Sequence, residues 1–206
     1  MKLCMFSPKD DNLERGWPGR IEGDRVIQLA AQTLQAYFTG GGNAREHAEF
    51  ALEDVVLRAP VLRPPSVRIY DGDDFRFANP ASIVGPDAVV HLPGGHEIVP
   101  VFRLAVVIGD GGAIGGCTLM NDWFAPGLAG TKAHDFAISL GPVVITADEL
   151  DTLELEEHVA HAASNTRLLP GDVIGGEGSP REAAGAGDVV EFELEPFGVL
   201  RNTVAA

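Results

Sequence analysis

VFRLAVVIGDGGAIGG, residues 101–116, is the stretch that sets the fold: a short apolar, β-branched run from Phe102 to Ile108 is cut off by a cluster of Gly and Asp. The same unit recurs at Ala88 to Leu92, Val143 to Thr146 and Val189 to Leu194, each bounded by Gly, Pro or Asp. Short strands with turn residues between them favour a mostly β domain over a parallel βαβ sheet. One helix stands out in this half, Glu154 to Ser164, with Leu155, Val159 and Ala162 on its inner face and the turn Leu169-Pro170-Gly171-Asp172 after it. The clusters Gly40 to Gly42 and Gly111 to Gly116 lack a phosphate-loop Lys and read as turns.

Upstream the pattern is mixed. Lys2 to Phe6 and Arg25 to Ile27 are apolar runs on either side of a polar stretch, Pro8 to Gly23, and suggest a hairpin-like start. From Asp24 the spacing of Val26, Ile27, Ala30, Leu34 and Phe38 predicts a helix that Gly40 ends. Asn43 and Glu46 have capping-box spacing and predict a second helix through Leu52. The expected organisation is a small α/β domain over residues 1–59, a Pro60 to Pro65 linker, and a β-rich core domain over residues 60–206.

The 206 residues can bury a core of ordinary size with no metal or disulfide to support it. Cys4 and Cys117 lie far apart in apolar runs, read as small core residues, and point to a reducing, cytoplasmic setting with no signal peptide. The longest apolar runs are too short to cross a bilayer. Thirty acidic against fifteen basic residues give a formal charge of -15, which repels phosphate backbones and anionic lipids. Nucleic acid and membrane are therefore not expected partners; a small-molecule ligand is.

Seven segments occur in the order typical of one family: RAPVLRPPSVR (58–68), FANPASIVGP (77–86), LAVVIG (104–109), LMNDW (119–123), DFAISLGPVVIT (135–146), LLPGDVIG (168–175) and GDVVEFELEPFGVLRN (187–202). On these the chain resembles the fumarylacetoacetate hydrolase superfamily. The resemblance implies a twisted β-sandwich or roll, a homodimer, and a Mg²⁺ or Mn²⁺ that polarises a keto acid or enolate for cleavage, decarboxylation, hydration or tautomerisation of carbon–carbon bonds.

Measured against that pattern, the positions of the two metal-binding Glu are taken by Val101 and Arg103, and Ile69 stands where an Asp follows Arg68. Asp71, Asp73 and Asp74 lie nearby on a Gly-containing turn and read as solvated. Asp122 matches the remaining ligand, so no metal is expected at the family position. Between Arg68 and Phe75 the chain is too short for the family's lid helix with its catalytic His. The segment after NDW reads Phe124-Ala125-Pro126-Gly127, without the substrate Arg of relatives. His134 takes the place of a functional Lys, with Lys132 just upstream, and Glu177 sits in a Gly loop that contacts substrate in the family.

The site expected from these matches has Asp122, Arg103 and His134 as catalytic candidates and Lys132 and Glu177 as substrate-binding candidates. Arg103 is expected to replace the cation and pair with Asp122; the competing reading has it pointing to solvent from an edge strand. His158 and His161 are spaced like a metal pair but read as a solvated helix face. His91 and His96 read as loop residues, and Ser164 and Ser179 lack the partners of a serine hydrolase. Three functions stay open: a keto-acid protein with a degenerate, metal-free site, a Mg-dependent hydrolase, decarboxylase or hydratase in which Asp71 to Asp74 and Glu97 rebuild the site, and a non-catalytic partner or scaffold subunit.

Overall fold

The computed structural model describes every residue except Asn12 and Asp151, with the side chains of Leu153 and Glu154 also left aside. Its strands are β1 (Lys2–Pro8), β2 (Trp17–Glu22), β3 (Arg25–Leu29), β4 (Glu46–Ala51), β5 (Val55–Arg58), β6 (Val67–Asp71), β7 (Asp74–Ala78) and β8 (Ile83–Val84). They continue with β9 (Val89–His91), β10 (Val99–Ile108), β11 (Ile114–Phe124), β12 (Ile138–Thr146), β13 (Val173–Gly175), β14 (Ser179–Pro180), β15 (Val189–Leu194) and β16 (Gly198–Ala205). Two α-helices accompany them, α1 (Leu34–Thr39) and α2 (Leu153–Ala163).

The large sheet runs β4-β3-β2-β1-β12-β11-β10-β13-β6-β7, and β15-β16-β9 form a second, smaller one. Alternation along the central strands explains its two apolar faces. Leu3, Met5, Ala105, Val107, Val144 and Val173 fall in one buried cluster. Their immediate neighbours Cys4, Phe6, Val106, Ile108, Val143, Ile145 and Ile174 fall in another on the opposite face. A sheet covered on both faces needs near-continuous apolar strands, which is why β12 is buried from end to end. The smaller sheet packs over the second cluster through Phe192, whose ring stacks on Phe102 at 4.4 Å and 8°. The architecture is therefore β-rich and layered, as the spacing of the apolar runs predicts.

The two N-terminal helices expected from spacing are corrected. Residues 25–29 are strand β3, paired with β2 and β4, and α1 begins only at Leu34, where the Thr33 hydroxyl caps the Ala36 amide at 3.0 Å. Residues 46–51 form β4, and Glu46 accepts a hydrogen bond from Arg20 Nη2 at 2.8 Å instead of closing a capping box. Pairing with neighbouring strands, and burial of Phe50 against Phe6 at 5.3 Å, outweigh a weak helical pattern. β1 is hydrogen-bonded to β12, with Lys2 opposite Ile145 and Leu3 opposite Val144, so residues 1–59 feed strands into the same sheet as the core.

Helix α2 matches its expected span, with Leu155 and Ala162 buried. Its His158 and His161 are not a simply solvated face. The His158 ring stacks on Tyr70 at 4.2 Å, and the Tyr70 hydroxyl donates to the His158 carbonyl at 2.9 Å and lies 3.0 Å from His161 Nδ1. Among the described residues no helix is long and apolar enough to cross a membrane.

Candidate functional site

The central pair comes from register. On the antiparallel ladder of β10 and β11, Val101 lies directly opposite Asp122, and Arg103, two residues along, shares the face of Val101. The Arg103 guanidinium is 3 % exposed and its Nη2 lies 3.2 Å from Asp122 Oδ2, while the Asp122 side chain is fully buried. Nη1 of Arg103 donates to the carbonyls of Tyr70 and Gly176 at 2.7 and 2.9 Å, and Nη2 donates to Asp71 Oδ1 at 2.8 Å. The alternative of a solvent-pointing Arg103 is thus excluded, and Asp71, exposed as expected, is in addition a partner of that guanidinium.

A glycine is required for Arg103 to lie this way. A Cβ at Gly178 would stand 2.7 Å from Arg103 Cζ and 2.6 Å from a Val101 methyl. Gly178→Ala should lower stability by about 1–3 kcal/mol, the usual effect of overpacking a filled interior, read as a fall in the denaturation midpoint.

The second cation of the site is Arg76, which the motif matches do not indicate. Where relatives are expected to carry a lid helix, β6 and β7 form a tight hairpin closed by Gly72 and Asp73, with Gly72 at φ 73°. Alternation on β7 turns Arg76 away from Phe75 and Phe77, and its Nη2 donates to both Asp122 oxygens at 2.6 Å. The signal available in DFRFA was a lone cation between two aromatic residues at strand spacing; its partner, 46 residues away, had no local signature.

His134 follows the short 3₁₀ turn Gly130–Ala133, and its ring stacks on Phe124 at 4.8 Å. Its Nδ1 lies 3.1 Å from Arg76 Nη2 and 3.7 Å from Asp122 Oδ1. Both N–H groups of Arg76 Nη2 go to the Asp122 oxygens, so the ring sits against the clamp with Nδ1 beside that carboxylate. Burial pushes the Asp122 carboxyl up, but His134 and the Arg76 and Arg103 guanidinium groups push it down, and the net effect holds it below its ordinary value.

Three of the five expected site residues, Asp122, Arg103 and His134, therefore meet. Lys132 and Glu177 do not join them. Lys132 is exposed and pairs with Asp135 Oδ2 at 2.6 Å. Glu177 is exposed, and its Oε1 accepts from the Gly72 amide at 2.9 Å, which ties down the hairpin that carries Arg76. Outside the buried pair, Arg76 and His134 border a cleft of about 260 Å³ together with Asn79 and Thr131.

Residues 152–205 match the family described as fumarylacetoacetate (FAA) hydrolase C-terminal. Solved structures match over the whole chain. A 5-carboxymethyl-2-hydroxymuconate delta-isomerase from Mycobacterium smegmatis superposes with a TM-score of 0.79 at 24 % identity, covering 100 % of this chain and 99 % of its own. This is the fold of the fumarylacetoacetate hydrolase superfamily. Maleylpyruvate hydrolase from Sphingobium sp. SYK-6, in complex with manganese (II) ion and pyruvate, shares it at TM-score 0.79 and 20 % identity, again over 100 % and 99 % of the two chains. So does a 2-keto-3-deoxy-D-arabinonate dehydratase complexed with magnesium and 2,5-dioxopentanoate, at 0.81 and 17 %, with the same coverage. No curated protein matches the chain by sequence.

Two of these fumarylacetoacetate hydrolase-fold neighbours carry a divalent cation, and the residues here do not fit one. Such ions take six or more hard oxygen donors. Both oxygens of Asp122 already accept from Arg76, the opposite residue Val101 offers no donor, and a guanidinium lies against the carboxylate. Among the described residues no group of three or more His, Cys, Asp and Glu is placed to hold a metal.

Proposed function

We propose that this chain binds a small keto acid or other enolisable carboxylate in the cleft beside Arg76 and His134, with guanidinium charge in place of a divalent cation. The observation that carries the proposal is the clamp itself: one buried carboxylate, Asp122, held between two arginines. Asp71 offsets Arg103 and Asp122 offsets Arg76, so in a chain of net charge -15 what meets an anion is the part of the Arg76 guanidinium that Asp122 leaves free. Arg76 is about a quarter exposed, so one edge of its guanidinium can meet a ligand while Nη2 stays on Asp122. Asp122, ionised and fully paired, is a poor base. His134, an imidazole at the cleft wall, is the group suited to move a proton of an enolisable ligand.

Titration of pyruvate and oxaloacetate against the purified protein tests this through thermal stabilisation. The expected result is saturable stabilisation of the same size in EDTA and in Mn²⁺, removed by Arg76→Ala and unchanged by Lys132→Ala. Stabilisation that needs Mg²⁺ or Mn²⁺ would restore the metal-dependent reading. Proton exchange at the pyruvate methyl, followed by NMR, separates catalysis from binding: His134→Ala should remove exchange and leave stabilisation in place.

A further inference from the structure

We propose a second ligand site on the opposite face of β7, for a small carboxylate carried on a planar apolar body. The same alternation that sends Arg76 to Asp122 presents Phe75 to a second cleft of about 380 Å³, bordered by Arg68, Asp74, His161 and Asn165, with Phe77 on the rim between the two clefts. Phe77 is 69 % exposed, the largest exposure among the big apolar side chains of the described residues. Its ring and that of Phe75 meet edge to face at 5.4 Å.

Arg68 is what gives this aromatic patch a chemistry. Its side chain is 6 % exposed, and its Cζ lies 5.6 and 5.3 Å from the ring centroids of Phe75 and Phe77. One hydrogen bond holds it, from Nη1 to the Ser66 hydroxyl at 2.6 Å. The nearest carboxylate, Asp172, stands 4.0 Å away and is committed to Ser66 and to the Leu169 amide. Nε is buried with no hydrogen-bond partner among the described residues. A buried guanidinium without a hydrogen-bonded anion is costly, and a forked contact through Nε and Nη2 is the arrangement that relieves it. A carboxylate fits that fork, and a planar body behind it fits against Phe75, Phe77 and the His161 ring. Phe77, exposed and on an edge strand, can change rotamer to admit it.

This site shares Phe77 with the rim of the Arg76 cleft, and the experiment separates the two through Arg68 and the residues that line one cleft alone. Sodium benzoate is the probe, titrated into the full chain with backbone amide shifts followed by NMR. The expected result is saturable shifts at Phe75, His161 and Asn165 that exceed those at Asn79 and His134. Benzyl alcohol, which lacks the charge, should produce none. Phe77→Ala, an exposed change that leaves the core alone, should weaken benzoate about tenfold, and Arg68→Lys, which keeps the charge and loses the fork, by a similar factor. Shifts confined to Asn79 and His134, equal binding of benzyl alcohol, or affinity unaffected by Phe77→Ala would overturn the proposal. So would slower tumbling at high protein concentration with no benzoate present, because the exposed Phe77 patch would then be a self-association surface.

Discussion

Replacing Asp122 by Asn is expected to destabilise the protein by about 3–5 kcal/mol, the usual consequence of removing one partner from a buried ion cluster. The substitution keeps the shape and deletes the charge, so the loss is electrostatic. Arg103, 3 % exposed, would keep Asp71 and two carbonyls but lose the buried anion. Arg76 would lose both of its 2.6 Å contacts. For a chain of this size each kcal/mol moves the melting temperature by about 2–4 °C, so a drop on the order of 10 °C is expected in a thermal scan. The pH dependence gives a second readout. Because the folded carboxyl lies below its ordinary value, its contribution is complete above the unfolded value of about 3.9 and is lost as pH falls through the folded one. The wild type should therefore lose stability more steeply than Asp122→Asn as pH falls below about 4. Parallel curves would mean that the carboxylate is not held by the two arginines.

Arg103→Leu should have an effect of comparable size, about 3–5 kcal/mol in chemical denaturation. Three acceptors lose their donor at once: the carbonyls of Tyr70 and Gly176, and Asp71. Asp122 would keep Arg76 alone. Arg103→Lys should recover part of the loss, since an ammonium keeps the charge but cannot serve the carbonyls and two carboxylates from one planar fork. Combined with Asp122→Asn in a double-mutant cycle, Arg103→Leu should show a coupling of about 1–3 kcal/mol. Strict additivity would separate the two residues energetically despite their 3.2 Å contact. The coupling should also persist in high salt, because neither group is exposed to screening.

Much of the site was legible from position in ordered motifs. Val101 and Arg103 lie two apart in a run of strand character, and Asp122 lies within LMNDW, so a single antiparallel pairing was enough to bring them together. His134 was found the same way. Glu177 stood in a loop that the resemblance marks for substrate and Lys132 just upstream of a matched position, yet a loop residue's direction is not encoded by its place in a motif. Here one points to solvent beside Asp135 and the other fastens the β6–β7 turn. The N-terminal helices were misread for a related reason. Apolar spacing over a dozen residues fits both a helix and a strand followed by a turn, and the choice fell to whichever neighbours offered a ladder.

What the sequence by itself determined is the alternation that sorts Leu3 from Cys4, Ala105 from Val106 and Val144 from Val143 onto two buried faces, and with it a layered β fold. That is a local property, set by side chains that point to opposite sides at every step. Only the tertiary structure decided that Arg76 completes the clamp on Asp122. Its arrival depends on β6 pairing parallel to β13, on β13 pairing with β10, and on the hairpin that carries it past the edge. The first two of those pairings join segments distant in the chain. Their free energy comes from backbone hydrogen bonds and apolar burial shared among many residues, so no single position carries a mark of the partner it will meet.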